Sequence, residues 1–339
     1  MSERQLVTGL DVGSTKVCVA VAERSDEGVQ LRSHGLAPTR GVKQGMVVNI
    51  AQAAGAVRDA VRQAEQRGGL SLRRVVLSLS QMNTRPLAPG RLARMPPPGR
   101  VQSLVQSVER AGLEIQDVVL APLASAEVLI TEHDRELGVA VVDIGGATTD
   151  IAVFASGKLL CTEVLPSGGL HLTSDIAQGL QTSLREAERV KRQHGCVLID
   201  SHAPELDPDE ELLVQSLGDQ PPHVCTRAAL RDIVEARTSE ILLGVEHVLK
   251  QTGVPLGAGL ALCGGTAQLP GLAELARQLL GVPVRCLKPV GVQHIAGVLD
   301  DPAHTTALGL LLHLPRSNVI YAPRGALARC TPDAAQRSA

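Results

Sequence analysis

Along the 339 residues the apolar positions switch repeatedly between the short runs and alternation of strands and the three-and-four spacing of helices. Residues 6–22 read as a β-hairpin turning at Gly13, and 29–36 as a third strand. Ile50, Ala53, Ala54, Val57 and Val61 keep helical spacing until Gly68-Gly69 ends it, and Arg74 to Ser80 has the makeup of a buried strand. Val101, Leu104, Val105 and Val108 form another helical stripe that closes at Gly112, and Pro122 opens a further helix. The second half repeats the scheme: a hairpin over 138–154, a strand over 158–165 and a turn at Ser167-Gly168-Gly169. One long helix is expected from about Ser174 to His194, with Ile176, Leu180, Leu184 and Ala187 on one face. Thr226 is placed to cap a helix running to Thr252; GLALCGG is a strand, and Pro270 starts the next helix. Alternation of this kind predicts an α/β architecture, and its recurrence predicts two halves built alike.

Two intervals break the pattern. Asn83 to Arg100 carries five prolines and four arginines and reads as an extended linker. Asp200 to Glu211 is acidic and contains Pro, which predicts a solvated loop; nothing fixes the spacing of its carboxylates for a metal.

Composition narrows the class. The length suits two domains, each able to bury a core, and 44% hydrophobic with 20% charged residues suits a soluble globular chain. A net charge of −2, no Lys/Arg-rich run, no Trp, one Tyr and one Phe argue against a nucleic-acid partner read by basic patches or stacking. The apolar runs fall short of the roughly 20 residues a membrane-spanning helix requires. The chain enters a strand within a few residues of its start, so no signal peptide is expected. Its seven cysteines form no CxxC pair, which fits reduced thiols and a cytoplasmic location.

The candidate chemistry lies in two matching hairpins, LDVGSTKVCVAV (Leu10 to Val21) and VDIGGATTDIAVF (Val142 to Phe154). Each delivers one Asp into a turn of Gly, Ser and Thr. Phosphate binding requires convergent backbone N–H groups that side chains do not obstruct, and Gly13, Gly145 and Gly146 give that clearance. Ser14, Thr15, Thr148 and Thr149 add hydroxyl donors, and Lys16 adds a positive charge. Neither turn is a P-loop, because GxxxxGK[ST] is absent and each leads into a strand. Asp11 and Asp143 would repel phosphate directly but suit a hydrated Mg²⁺ bridging β- and γ-phosphates, and Asp143 could orient an attacking water. A single DxG turn is often only a β-turn; two at equivalent places suggest paired jaws on one polyphosphate.

The hairpins resemble the phosphate 1 and phosphate 2 motifs of the actin, Hsp70 and sugar-kinase superfamily, and Leu262 to Thr266 resembles its adenosine motif. More narrowly, VERAGLEIQDVVLAPLASAEVLITEHDRELGVAVVDIGGATTDIAVF, LPSGGLHLTSDIAQGLQTSLREAERVKRQHG, LCGGTAQLPGLAEL and TTALGLLLH resemble the FtsA family of actin-like bacterial cell-division proteins, over most of 5–315. The resemblance implies an actin-like two-lobed ATPase fold with an interdomain nucleotide cleft. Lobe 1 would span 1–135, lobe 2 136–315 with a 2B-like part at about 182–252, and 316–339 would be a tail. The last helix would return to lobe 1. Asp11, Gly13, Ser14, Thr15 and Lys16 fall on one phosphate side, and Asp143, Gly145, Gly146 and Thr148 on the other. Gly168 and Gly169 match a connecting turn near the phosphates. Glu188 and Lys191 take the ExxK positions that face ribose and adenine, with Gly264, Gly265 and Thr266 closing the pocket. On spacing alone, Glu188 and Lys191 also fit a surface ion pair.

The implied cofactors are ATP and Mg²⁺; the implied role is an adaptor for FtsZ in Z-ring assembly, with self-association and other division proteins as further partners. Relatives bind the FtsZ C-terminal peptide on basic residues matched here by Arg227 and Arg237, with His223 where Arg is common; plain solvent-facing residues are the alternative. Four departures bear on this. Ala121 stands where many relatives have Glu or Gln, which predicts at most a slow ATPase. The linker at 83–100 replaces subdomain 1C. The tail shows no apolar stripe of the family's membrane-targeting kind, so membrane contact would be at most indirect or peripheral, through partners at the division site, or the chain is truncated. His223 weakens the docking of an acidic peptide at neutral pH. A small-molecule kinase of the superfamily and a pilus-assembly relative are the other readings.

Overall fold

A computed structural model of the chain describes residues 5–80, 85–88, 91–93, 98–198, 207–293 and 297–313. The first half runs β1 (Gln5–Val12), β2 (Lys16–Ser25), β3 (Gly28–Pro38), β4 (Val42–Lys43), β5 (Met46–Val47), α1 (Ile50–Gly68), β6 (Arg74–Leu79), β7 (Arg85–Ala88), β8 (Arg91–Ala93), α2 (Pro98–Arg110), β9 (Glu114–Leu120), α3 (Ala121–Leu129) and α4 (Glu132–Leu137). The second runs β10 (Val139–Ile144), β11 (Thr149–Ala155), β12 (Lys158–Leu165), α5 (Gly169–Gly179), α6 (Leu184–His194), β13 (Glu211–Val214), β14 (His223–Thr226), α7 (Arg227–Thr252), β15 (Gly259–Cys263), α8 (Leu272–Leu280), β16 (Val284–Cys286), β17 (Val292–Gln293) and α9 (Thr305–Leu312).

The duplication expected from the pattern is present in the topology. One sheet is ordered β3-β2-β1-β6-β9 with β17 added at its edge, the other β12-β11-β10-β15-β16, and the first three strands of each form an antiparallel meander. Register repeats as well: Asp11 pairs with Cys18 across β1 and β2, and Asp143 with Asp150 across β10 and β11.

Why these strands read as nearly continuous apolar runs follows from the layering. Val17, Val19 and Val21 face a core shared with α1 and α2, while Cys18, Ala20 and Ala22 face the middle of the molecule. Ala140, Val142 and Ile144 likewise face α5 to α8, and Val139 and Val141 face the middle. Strands buried on both faces have no polar side to alternate with. The middle layer is α3 and α9, packed between the two sheets. These helices approach so closely that a Cβ on Gly309 would overlap the carbonyl oxygen of Ala124. A Cβ on Gly9 of β1 would lie 2.7 Å from the Ala307 carbonyl oxygen.

Four expectations need correction. The long helix at 174–194 is two helices: α5 ends at Gly179, Gln181 takes a left-handed conformation (φ 47°), and Ser183 caps α6 by accepting from the Glu186 amide at 3.2 Å. Thr182 donates to the Gln215 carbonyl, which holds the break against β13. Ser183-Leu-Arg-Glu186 is a capping-box pattern, the signal that marks a helix start here. The interval 83–100 is not simply an extended linker, because β7 and β8 pair as a hairpin and α2 begins at Pro98. Pro89-Gly90 between the strands is a turn signal. The acidic interval gives way to a strand at its last residue, Glu211, the start of β13; 207–210 are irregular, and residues 200–206 lie outside the described ones, as does the tail. Finally, α8 starts after Gly271 rather than at Pro270.

Candidate functional site

A cavity of about 660 Å³ opens between the two sheets, where both hairpin turns meet. The turns are built alike. Gly13 donates its N–H to the Lys16 carbonyl at 3.0 Å, and Gly145 donates to the Thr148 carbonyl at 2.9 Å. In each, an added Cβ would press on that same carbonyl oxygen, at 3.1 and 3.2 Å, so a side chain would crowd the tight turn in both halves. The cavity is lined by Asp11, Gly13, Ser14, Thr15 and Lys16 from one sheet and by Asp143, Gly145, Gly146 and Thr148 from the other. Gly169, Glu188, Lys191, Gly264, Gly265 and Thr266 line it too. Gly168 lies behind this wall: a Cβ there would be 2.6 Å from the Gly145 carbonyl oxygen. The start of α5 is fastened to the second turn, with Gly169 and Leu170 donating to the Gly145 and Gly146 carbonyls at 2.9 and 2.6 Å. Thr266 donates to the Gly145 carbonyl at 3.1 Å, so the third Gly turn braces the second.

Glu188 and Lys191 do form the i, i+3 ion pair, at 2.6 Å, but Lys191 is mostly buried rather than on an outer surface. Its ammonium also donates to the Gly169 carbonyl at 2.9 Å and to Thr173 Oγ1 at 2.8 Å, tying α6 to α5 at the cavity wall.

Two carboxylates carry the electrostatics. Burial pushes Asp11 above the ordinary Asp value, against a 2.5 Å hydrogen bond from Ser78 Oγ and the attraction of Lys16. Burial raises Asp143 too, reinforced by the negative charge of Asp11, while Thr306, Lys16 and Ser125 oppose the rise. The donor set fits Mg²⁺: two hard carboxylates facing a cavity, whose raised affinity for protons a divalent cation would offset. Among the described residues no group of three or more His, Cys, Asp or Glu side chains could hold a metal by itself. That suits a cation that completes its shell with water and phosphate oxygens.

Ser78, Ser125, Thr306 and Thr173 were not singled out from sequence, because only the fold brings them to the acidic and basic groups they bind. Asp150 had a visible signal. It ends the second motif, DIGGATTD, is buried in the cavity wall and accepts from Thr148 Oγ1 at 3.0 Å. Ala121 lines the cavity with a buried methyl group.

The three residues expected to meet a partner peptide lie elsewhere. Arg227 is buried, pairs with Glu210 and donates to the His194 carbonyl at 2.9 Å, so it is an interior strut and leaves the candidate surface. Arg237 grips Asp175 through two hydrogen bonds of 2.6 and 3.1 Å and also pairs with Glu240 at 2.6 Å. His223 is half-buried, 2.9 Å from Ser216 Oγ. Next to them the outer face of the β13–β14 ribbon exposes Leu213 and Val224, which are direct partners across the ladder.

Duplicated sheets around a two-helix middle layer, with facing Gly turns in the cleft, define an actin-like protein. Solved structures of this fold superpose over most of the chain. EutJ, an ethanolamine utilization protein from Carboxydothermus hydrogenoformans, covers 91% of this chain and 89% of its own at TM-score 0.62 and 25% identity. MreB5 of Spiroplasma citri bound to ADP covers 91% and 95% at TM-score 0.64 and 15% identity. A PilM-PilN type IV pilus biogenesis complex matches at TM-score 0.67, covering 90% and 97% at 19% identity. The family model described as cell division protein FtsA matches residues 140–309, and the chain belongs to that family. The cell division protein FtsA of Pseudomonas aeruginosa is 30% identical over 375 residues, covering 91% of this chain and 89% of its own. That of Bacillus subtilis is 31% identical over 379 residues, covering 92% and 84%. Both alignments are longer than this 339-residue chain, so the relatives carry internal residues it lacks.

Proposed function

We propose that this actin-like division protein binds Mg-ATP in the cleft between its sheets and serves as an adaptor for FtsZ. The observation that carries the nucleotide reading is the equivalence of the two turns, with the same internal hydrogen bond in each and both facing one cavity. Backbone amides at Ser14 and Thr15 and at Gly146 and Ala147 suit a polyphosphate, with Lys16 supplying charge. Asp11 and Asp143 would hold Mg²⁺, which neutralises phosphate charge when bound. Glu188, Lys191 and the turn at Gly264 to Thr266 form the end suited to the nucleoside. Ala121 presents a methyl group where an amide or carboxyl would orient water, so turnover is slow and occupancy itself is the signal. Calorimetric titration with Mg-ATP tests this: binding is expected, and Asp143→Ala or Gly145→Asp abolishes it. Undiminished binding in both variants would refute the cleft assignment.

The FtsZ reading rests on family membership and on the exposed apolar ribbon β13–β14 beside α7. Arg237 already serves Asp175 and Glu240, so apolar contact at the ribbon, with His223 at its edge, is the larger share of docking. Titration with an FtsZ C-terminal peptide is expected to show binding that Val224→Asp weakens by tenfold or more. No binding by the unmodified chain would remove the adaptor role. Sedimentation with and without Mg-ATP reads the self-association proposed for the family fold.

A further inference from the structure

Asp11 and Asp143 sit on equivalent strands but are held in different ways. Asp11 is fixed within its own sheet, by Ser78 of the neighbouring strand β6. Asp143 belongs to the second sheet and meets the Cys263 thiol of β15 there, yet its hydroxyl partners come from the middle layer: Thr306 Oγ1 on α9 donates to Asp143 Oδ2 at 3.1 Å, and Ser125 Oγ on α3 lies 3.4 Å from the same oxygen. The two hydroxyls are 3.0 Å apart, so Ser125 can donate to Thr306 while Thr306 donates to the carboxylate. Ser125 is fully buried and Thr306 nearly so, which leaves water little part in the chain. In such surroundings successive hydrogen bonds polarise one another and fix direction.

Both helices also touch the first sheet. Leu310 on α9 meets Gly9 of β1, and Ala124 on α3 clusters with Val76 of β6 and Val119 of β9. A carboxylate of one lobe is therefore oriented by helices that bear on the other, an asymmetry that the duplicated backbone does not require.

We propose that Ser125 and Thr306 are positioning residues: they aim the Asp143 carboxylate at the cation that accompanies the nucleotide, and through α3 and α9 they tie cation binding to the angle between the lobes. This rests on the Mg-nucleotide reading of the cleft. Asp11 would lack that coupling, since Ser78 moves with its own sheet.

The test compares ATP affinity with Mg²⁺ and with EDTA in the whole chain, for wild type, Ser125→Ala, Thr306→Val, the double variant and Thr306→Ser, each with its lobe closure followed by small-angle scattering. The wild type is expected to favour Mg-ATP over metal-free ATP and to contract with Mg-ATP. In Thr306→Val and the double variant that preference falls by about tenfold, the size expected for losing a charged hydrogen bond. Their metal-free affinity holds, contraction is reduced, and Thr306→Ser restores both. Variants that keep the full preference, or lose metal-free and Mg-ATP affinity equally, overturn the proposal. A wild type that binds ATP without regard to Mg²⁺ overturns it too but leaves the nucleotide cleft standing. No ATP binding at all removes the cleft reading itself.

Discussion

Among the described residues the Thr306 and Ser125 hydroxyls, the Cys263 thiol and the charge of Lys16 meet Asp143, and burial still raises its proton affinity. A carboxylate held like this weakens the nucleotide-free protein at neutral pH and becomes useful only with a cation. Asp143→Asn is therefore expected to raise the melting temperature of the nucleotide-free protein at pH 7 while removing Mg-dependent binding; differential scanning fluorimetry with and without Mg-ATP checks both. Lys191 is the opposite case, with three acceptors for its three protons. Lys191→Ala is expected to cost about 1–2 kcal/mol in a urea melt, because Thr173 and Glu188 lose a charged partner. At this scale the sequence shows the glycines, the two aspartates and the turn threonines plainly, since their meaning is local. Ser78, Ser125 and Thr306 carry no such mark. Their roles arise from contacts across 67, 18 and 163 positions of chain.

The helix α6 is short but anchored on two sides. Its cleft face carries Glu188 and Lys191, while Glu186 accepts from Arg189 at 2.6 and 2.8 Å and from the Gln215 amide at 3.2 Å, binding the helix to the strand end at β13. The Arg189 hydrogen bonds are the main reason the Glu186 pKa falls below its ordinary value. A group with a depressed folded value stabilises the fold above its unfolded value and loses that contribution as pH falls through the folded value. Glu186→Gln is expected to cost about 1 kcal/mol at pH 7, with the gap from wild type closing on acidification towards pH 4; urea midpoints across that range measure it. Where α3 crosses α9 there is no space for a side chain, and Gly309→Val is expected to destabilise by about 3 kcal/mol or more. Strands and helices of the two halves were legible because each is long, apolar and capped. The break at 180–183 was not, because the apolar spacing of Ile176, Leu180, Leu184 and Ala187 continues across it and only the capping pattern interrupts.

The whole molecule is a repeated sheet order wrapped around α3 and α9, and the repetition was visible as two hairpin motifs followed by alternating elements. How the halves face each other was not visible, because no local pattern says that Thr305–Leu312 inserts between two sheets. The same arrangement leaves Leu170, in the first turn of α5, partly exposed on the wall of the cavity and hydrogen-bonded through its amide to the second turn. The chain contains no Trp and only one Tyr, so it is almost dark to ultraviolet excitation of indole. A Leu170→Trp substitution would place a lone indole beside the second Gly turn. Its emission is expected to shift on adding Mg-ATP, giving an optical signal of occupancy with no other indole in the chain.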